Sequence, residues 1–300
     1  MFTFVLVVCG ILGLAVGSFL NVVIWRVPHR DEAEPTASEP IDAETLHAHS
    51  DADVDVRDAT RLERAPEATP RETIFRPPSY CPGCHTPIKP YDNIPVVSWL
   101  LLRARCRTCK TRIPIRYPMV ELANAVLFVL VALVYWDRPE LIAYLILAAG
   151  LLALSVIDIE LKILPTRVVF PLGVMVALAL GGAALWNRDW HPALRALGGG
   201  AAAYVVIRFI YEVTRGRGIG YGDVRLSFVL GMALGWLGWE YVVGGIFGGF
   251  FLGAVLGLLL LALRIVARRT PIPFGPFLAA GTMIFVLLGA PILDWYLGRA

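Results

Sequence analysis

Histidine is scarce in this sequence, and familiar catalytic motifs are missing. The five histidines (His29, His47, His49, His85 and His191) all lie outside the long apolar runs. There is no HExxH, no Walker-type glycine loop and no Gly-x-Ser-x-Gly elbow, so zincin, P-loop and nucleophile-elbow chemistries lack their parts. Of five cysteines, Cys9 alone sits in an apolar run, with no histidine near it in the sequence. It reads as core packing, because an activated thiol needs a base beside it. Charge is sparse too: 17% of residues are charged against 57% hydrophobic, with a formal net charge of +3. What remains for chemistry is carboxylates.

The apolar residues are clustered. Runs of roughly 16 to 24 residues recur, the length that crosses a bilayer as a helix. The expected spans are 2–25, 119–136, 141–157, 168–186, 194–211, 224–239, 241–263 and 277–295, about eight in all. The first has no basic leader and no Ala-x-Ala-like site, so it reads as a retained helix rather than a secretion signal. Lys and Arg gather at Arg26 and Arg30, Arg103 to Arg116, Lys162 and Arg167, Arg215 and Arg217, and Arg264 to Arg269. The alternate connections hold few. The positive-inside rule then makes the basic connections cytoplasmic and both termini external.

The connection between the first two spans has two unlike parts. Residues 26–77 are acidic and poor in aromatics, with too little apolar surface to offset ordering, so disorder is expected there. Residues 78–116 carry Cys81, Cys84, Cys106 and Cys109 as two CxxC pairs. Separated by residues 85–105, they stand just beyond the zinc-ribbon spacing of about 15–20 and supply four thiolates for a tetrahedral Zn²⁺. Two disulfides are the competing reading, and a cytoplasmic location opposes it. A four-cysteine site is closed, so the metal is structural, and His85 beside it is a bystander.

Asp158 ends the third span and Asp223, in "GIGYGD", begins the sixth. An even number of crossings separates them, so both sit at one membrane face at similar depth. Such a pair can share a proton and activate water. Gly220 and Gly222 would let a substrate backbone approach Asp223 without a Cβ intervening. Each Asp also has a bland reading, Asp223 as a helix N-cap and Asp158 as an interfacial residue. Composition and spacing leave the two readings open.

Together "GSFLNVVIWRVP", "CPGC…NIPVVSWL…CRTC", "RYPMVELANA", "SVID…LP", "GIGYGDVRL" and "PIPFGPFLAAG" resemble the bacterial type IV prepilin peptidases, a family of GxGD membrane aspartyl proteases. The resemblance spans nearly the whole chain except the acidic insert. It implies an all-α integral membrane protein of the bacterial inner membrane, with a cytoplasmic zinc-ribbon-like loop between the first two spans and a transmembrane peptidase core over 117–300. It also implies that Asp158 and Asp223 are the catalytic pair, cutting the basic leader from type IV prepilins or type II secretion pseudopilins at the cytoplasmic face. N-methylation of the new terminus, with S-adenosylmethionine as donor, is implied in turn. The implied partners are these pilins and the lipid bilayer, with no nucleic acid. Glu121 and Glu160 could meet the basic leader or be solvated helix-end charges.

Three positions depart from the family pattern: Glu160 for a second Asp, Thr166 after "LP", and Ala104 where the family commonly has Gly. The last bears on methyl transfer. Two other classes are weighed against the peptidase. A proton-coupled transporter should show internal repeats, and no convincing repeat is found. A non-enzymatic assembly factor docking through the zinc loop would tolerate loss of both Asp residues.

Overall fold

The computed structural model describes residues 1–28, 80, 81, 83–264 and 273–298. The acidic insert, apart from its first residues, lies outside this set, and so do 265–272.

Long apolar runs fold as helices because lipid offers no partner to backbone N–H and C=O groups. Nine α-helices occur among the described residues: α1 (Phe2–Arg26), the short α2 (Val97–Leu101), α3 (Arg116–Tyr135), α4 (Leu141–Leu161), α5 (Thr166–Asn187), α6 (His191–Thr214), α7 (Tyr221–Leu237), α8 (Trp239–Ala262) and α9 (Gly275–Tyr296). Seven are long and apolar enough to cross a membrane. The remaining expected span, the sixth at 224–239, corresponds to α7, which has 17 residues, about 25 Å at the helical rise. Twelve of those residues are buried, which makes α7 an internal helix enclosed by the longer ones. It packs against α5, α6, α8 and α9.

Helix ends carry local signals. Lys162, Arg188 and Arg215 stop α4, α5 and α6 in the left-handed conformation, at φ 57°, 54° and 52°. Proline opens α6 and α9 within the first turn, where its missing N–H costs no helical bond. Arg195 of α6 donates to the carbonyls of Gly235 (2.8 Å) and Trp236, satisfying the end of α7.

Three helix pairs come together through small residues: α1 with α3, α6 with α7, and α8 with α9. In lipid, where there is no hydrophobic drive between helices, close packing of this kind is what holds them. A Cβ added at Gly199 of α6 would lie 2.6 Å from the Gly231 carbonyl oxygen of α7. Gly199→Ala should therefore destabilise the bundle by about 1–3 kcal/mol, an overpacking cost, read as a lower melting temperature in detergent. Buried tyrosines add polar ties: Tyr144 donates to the Ala233 carbonyl (3.1 Å) and Tyr135 to that of Val286 (2.8 Å). With α4 and α7 enclosed in the bundle, the end of α4 and the start of α7 meet at one end of it.

Candidate active site and metal-binding knuckles

Asp158 lies in the last turn of α4 and Asp223 in the first turn of α7, 6% and 5% exposed. Gly220 is the N-cap of α7, so Asp223 is the third helical residue rather than the cap itself. Its Oδ2 reaches back to accept the Gly220 N–H at 3.0 Å, the carboxylate half of a capping box. Asp158 is held in a parallel way. Its Oδ2 accepts the Gly275 N–H, at the start of α9, also at 3.0 Å. One glycine amide therefore grips one oxygen of each carboxylate.

Leu164, in the α4–α5 turn, joins the two halves. A Cβ at Gly222 would sit 2.7 Å from Leu164 Cβ, and one at Gly275 would sit 3.4 Å from Leu164 Cδ1 and 2.7 Å from Asp158 Oδ2. The two carboxylates lie within Coulombic range of each other. Asp223 Oδ1 is buried with no hydrogen-bond partner among the described residues. A buried carboxylate oxygen left free is costly in a static protein, and it is where a proton or a water can be bound.

The glycines of "GIGYGD" divide their roles. Gly222 packs on Leu164 of the chain itself, and Gly220 turns its bare face to Asp223 Oδ2. Tyr221 is covered by Arg208 and Arg225, and Arg225 also donates to the Thr166 hydroxyl, tying the start of α5 to the first turn of α7. Glu160 accepts two bonds from Arg116, at 2.6 and 2.7 Å. Glu121 is buried, and its Oε2 accepts the Val96 N–H at 2.7 Å. Glu160 is thus an exposed helix-end charge held in an ion pair, one of its two sequence readings, whereas Glu121 is buried and is no solvated helix-end charge.

The four cysteines come together. Their sulfurs all lie within 4.8 Å of one another, Cys81 and Cys109 being 3.7 Å apart. A tetrahedral site with Zn–S of about 2.3 Å needs sulfur pairs about 3.8 Å apart. No disulfide forms among them. The two CxxC turns are built alike: Cys81 and Cys106 donate their N–H to the carbonyls of Thr86 and Thr111, and accept from His85 and Lys110. The two donors to the cysteine carbonyls, His85 and Lys110, take positive φ, 52° and 61°. Hydrogen bonds from the Thr111 hydroxyl and backbone N–H bring the Cys109 thiol down to about 6. Cys81, despite the Gly83 N–H that favours its thiolate, is pushed by burial up to about 11. A bound cation would draw all four to thiolate.

Ala104 has φ 56°, donates its N–H to Trp99 and accepts from Ile113. Glycine suits that conformation, and alanine adopts it at a cost of about 1–2 kcal/mol. The departure is thus conformational and removes no reactive group.

Residues 11–135 match the bacterial peptidase A24 N-terminal domain, and residues 145–260 match the type IV leader peptidase family. A curated relative in Aeromonas salmonicida (strain A449) is 36% identical over 290 residues, covering 95% of this chain and 91% of its own. The chain belongs to the type IV leader peptidase family. This relative and two others bear the name prepilin leader peptidase/N-methyltransferase. One is in Pseudomonas aeruginosa, 37% identical over 97% of this chain and 93% of its own. The other is in Burkholderia pseudomallei (strain 1026b), 34% identical over 94% and 84%. No solved structure matches. Within this leader peptidase sequence, the paired amides on Asp158 and Asp223 are what sequence reasoning missed. Gly275 stands 117 residues from Asp158, and only the "PFGP" turn itself marked the place.

Proposed function

We propose that Asp158 and Asp223 are the catalytic dyad of an endopeptidase that removes the leader from prepilins and pseudopilins. The observation that carries this reading is the pair of buried carboxylates at one end of the bundle, each with one oxygen fixed by a glycine N–H and Asp223 Oδ1 left free. Membership of the leader peptidase family and the relatives' names supply the substrate class.

At neutral pH two adjacent carboxylates share one proton. The ionised one takes a proton from water as its oxygen bonds to the scissile carbonyl carbon. The protonated one gives its hydrogen to the carbonyl oxygen, and the result is a tetrahedral diol. Collapse breaks the C–N bond, with a proton passing to the leaving amine. The leader departs as a carboxylic acid, and the pilin keeps a free N-terminal amine. The glycine grips fix the carboxylates before substrate arrives, which lowers the cost of orienting them. The bare face of Gly220 leaves room for an extended backbone over Asp223.

The new amine is then N-methylated, with S-adenosylmethionine consumed as the methyl-donating substrate. Cys81, Cys84, Cys106 and Cys109 hold a structural Zn²⁺ that supplies cross-linking and no chemistry. The protein is a multi-pass protein of the bacterial inner membrane; the distribution of Lys and Arg supports placing both termini outside and the dyad at the cytoplasmic face.

The test is an assay of purified protein in detergent with a prepilin, its product sequenced from the N-terminus. Cleavage after the basic leader supports the reading, and an uncut prepilin contradicts it. The grip on Asp158 has its own test. Gly275→Ala places a methyl 2.7 Å from Asp158 Oδ2. We expect kcat to fall by on the order of 100-fold, as misplacement by about 1 Å does, with KM little changed. Unchanged kcat would show the amide to be dispensable.

A further inference from the structure

The zinc-bearing connection is not uniformly polar. Within residues 94–101, Ile94, Val97, Leu100 and Leu101 are exposed, Leu101 at 78%. Apolar side chains so exposed on a water-facing loop would be an unusual cluster.

Their depth gives the reason. The Arg116–Glu160 ion pair sets the start of α3 level with the end of α4. Glu121 lies five residues further into α3, about 7.5 Å deeper at the helical rise, whereas Asp158 is two residues in from Glu160, about 3 Å. Glu121 also packs on Gly17, well inside α1, where a Cβ would meet the Glu121 Cα at 2.7 Å. Val96 is bonded to Glu121 Oε2, and because helical side chains lean toward the helix N-terminus, it stands beside the first turns of α3, between the levels of Arg116 and Glu121. An open groove of about 270 Å³ lies beside it, lined by Ala15, Ser18, Phe19 and Val22 of α1 with Asn93 and Pro95. The segment therefore runs along the membrane-level face of α1.

The backbone of the segment is satisfied as membrane depth demands. Non-helical backbone is tolerated there only where the protein itself supplies partners. Glu121 accepts from Val96, the Ser98 hydroxyl accepts from Ile94 (3.1 Å) and donates to the Tyr91 carbonyl (2.9 Å), and the Trp99 indole donates to Ile113 (3.2 Å). In water, solvent would do this work. Val96, a β-branched residue, is even held at φ 59° to make its bond.

We propose that residues 94–101 are embedded in the bilayer, with Ile94, Val97, Leu100 and Leu101 against the acyl chains of the membrane the protein itself spans. The zinc knuckles are then tethered at the membrane surface by a buried hook, and Glu121 serves as a backbone acceptor rather than a substrate contact. This goes beyond the peptidase reading and does not depend on it.

The test places a nitroxide label at Leu101→Cys, and separately at Leu100→Cys, in zinc-loaded full-length protein carrying Cys9→Ala. The protein is reconstituted in vesicles of phosphatidylethanolamine and phosphatidylglycerol. Labels at Leu258→Cys, on the exposed surface of α8, and Arg217→Cys, in the α6–α7 connection, are the lipid and water references. Power saturation should show labels at 100 and 101 relaxed by oxygen more than by a water-soluble nickel chelate, as at 258 and opposite to 217. A nickel preference would overturn the proposal by placing the segment in water. Access to neither reagent would also overturn it, showing a protein surface over the segment. Retained zinc content establishes that each labelled variant is folded.

Discussion

Asp223→Asn and Asp158→Asn should each lower prepilin cleavage by on the order of 10⁴-fold or more, the loss seen when a member of a catalytic unit is removed. The substitutions are informative because they spare the contacts that hold the helices. An asparagine Oδ1 at 223 still accepts the Gly220 N–H, and one at 158 still accepts the Gly275 N–H. What each removes is the capacity to hold or release a proton. Helix content and melting temperature should therefore stay near the parent values while turnover vanishes. If the bland reading held, with Asp223 merely completing a capping box, cleavage would survive Asp223→Asn, and only Asp223→Ala, which removes the acceptor of the Gly220 N–H, would lower stability, by about 1 kcal/mol. Rates and melting curves measured on the same preparations separate the two.

Removing the zinc site should have the second largest effect, and of the other kind. Residues 80–115 contain, among the described residues, only two isolated bridges, a short 3₁₀ turn and the five-residue α2. So little regular structure cannot fold on hydrogen bonds and apolar burial alone. Structural zinc contributes apparent binding energies of about 10–16 kcal/mol in comparable small modules. Cys84→Ser with Cys109→Ser, one ligand from each knuckle, should abolish zinc retention. It should also make the segment before α3 a ready target for protease. Glu121 and Arg116 of α3 lie against or beside this segment, so purified yield should fall too. Elemental analysis and limited proteolysis read the two effects, and wild-type zinc content and protease resistance in the double variant would contradict a four-thiolate site.

Much of this was legible in the sequence, for identifiable reasons. Bilayer thickness forces spans of fixed length, so hydropathy located all eight long helices. The span starting at Val224 was read as an ordinary crossing, whereas α7 is shorter than the others and enclosed. Hydropathy measures apolarity without telling lipid from protein. The CxxC pairs were legible because a tetrahedral metal dictates both residue type and spacing. That Asp158 and Asp223 stand at one end of the bundle followed from counting crossings, a topological argument that needs no distances and that left their pairing open. What stayed hidden depends on contacts between residues remote in the chain. No local pattern announces that the Gly275 amide points at Asp158, or that Leu164 wedges between Gly222 and Gly275. Glu121 read either as a contact for a basic leader or as a solvated helix-end charge, because its acidity was all that the sequence displayed. Its partner, the Val96 amide 25 residues away, is visible only once the segment folds against α3. Ala104 looked like a chemical departure until its positive φ showed that the position constrains backbone.

The most direct test of the central claim is intact-mass spectrometry of one prepilin incubated in parallel with the wild-type protein, Asp158→Asn and Asp223→Asn, with S-adenosylmethionine present. The account predicts loss of the leader mass, followed by gain of a methyl, with the wild type alone, and an unchanged prepilin with both variants. A cleaved prepilin in either variant, at a rate near that of the wild type, would contradict the dyad.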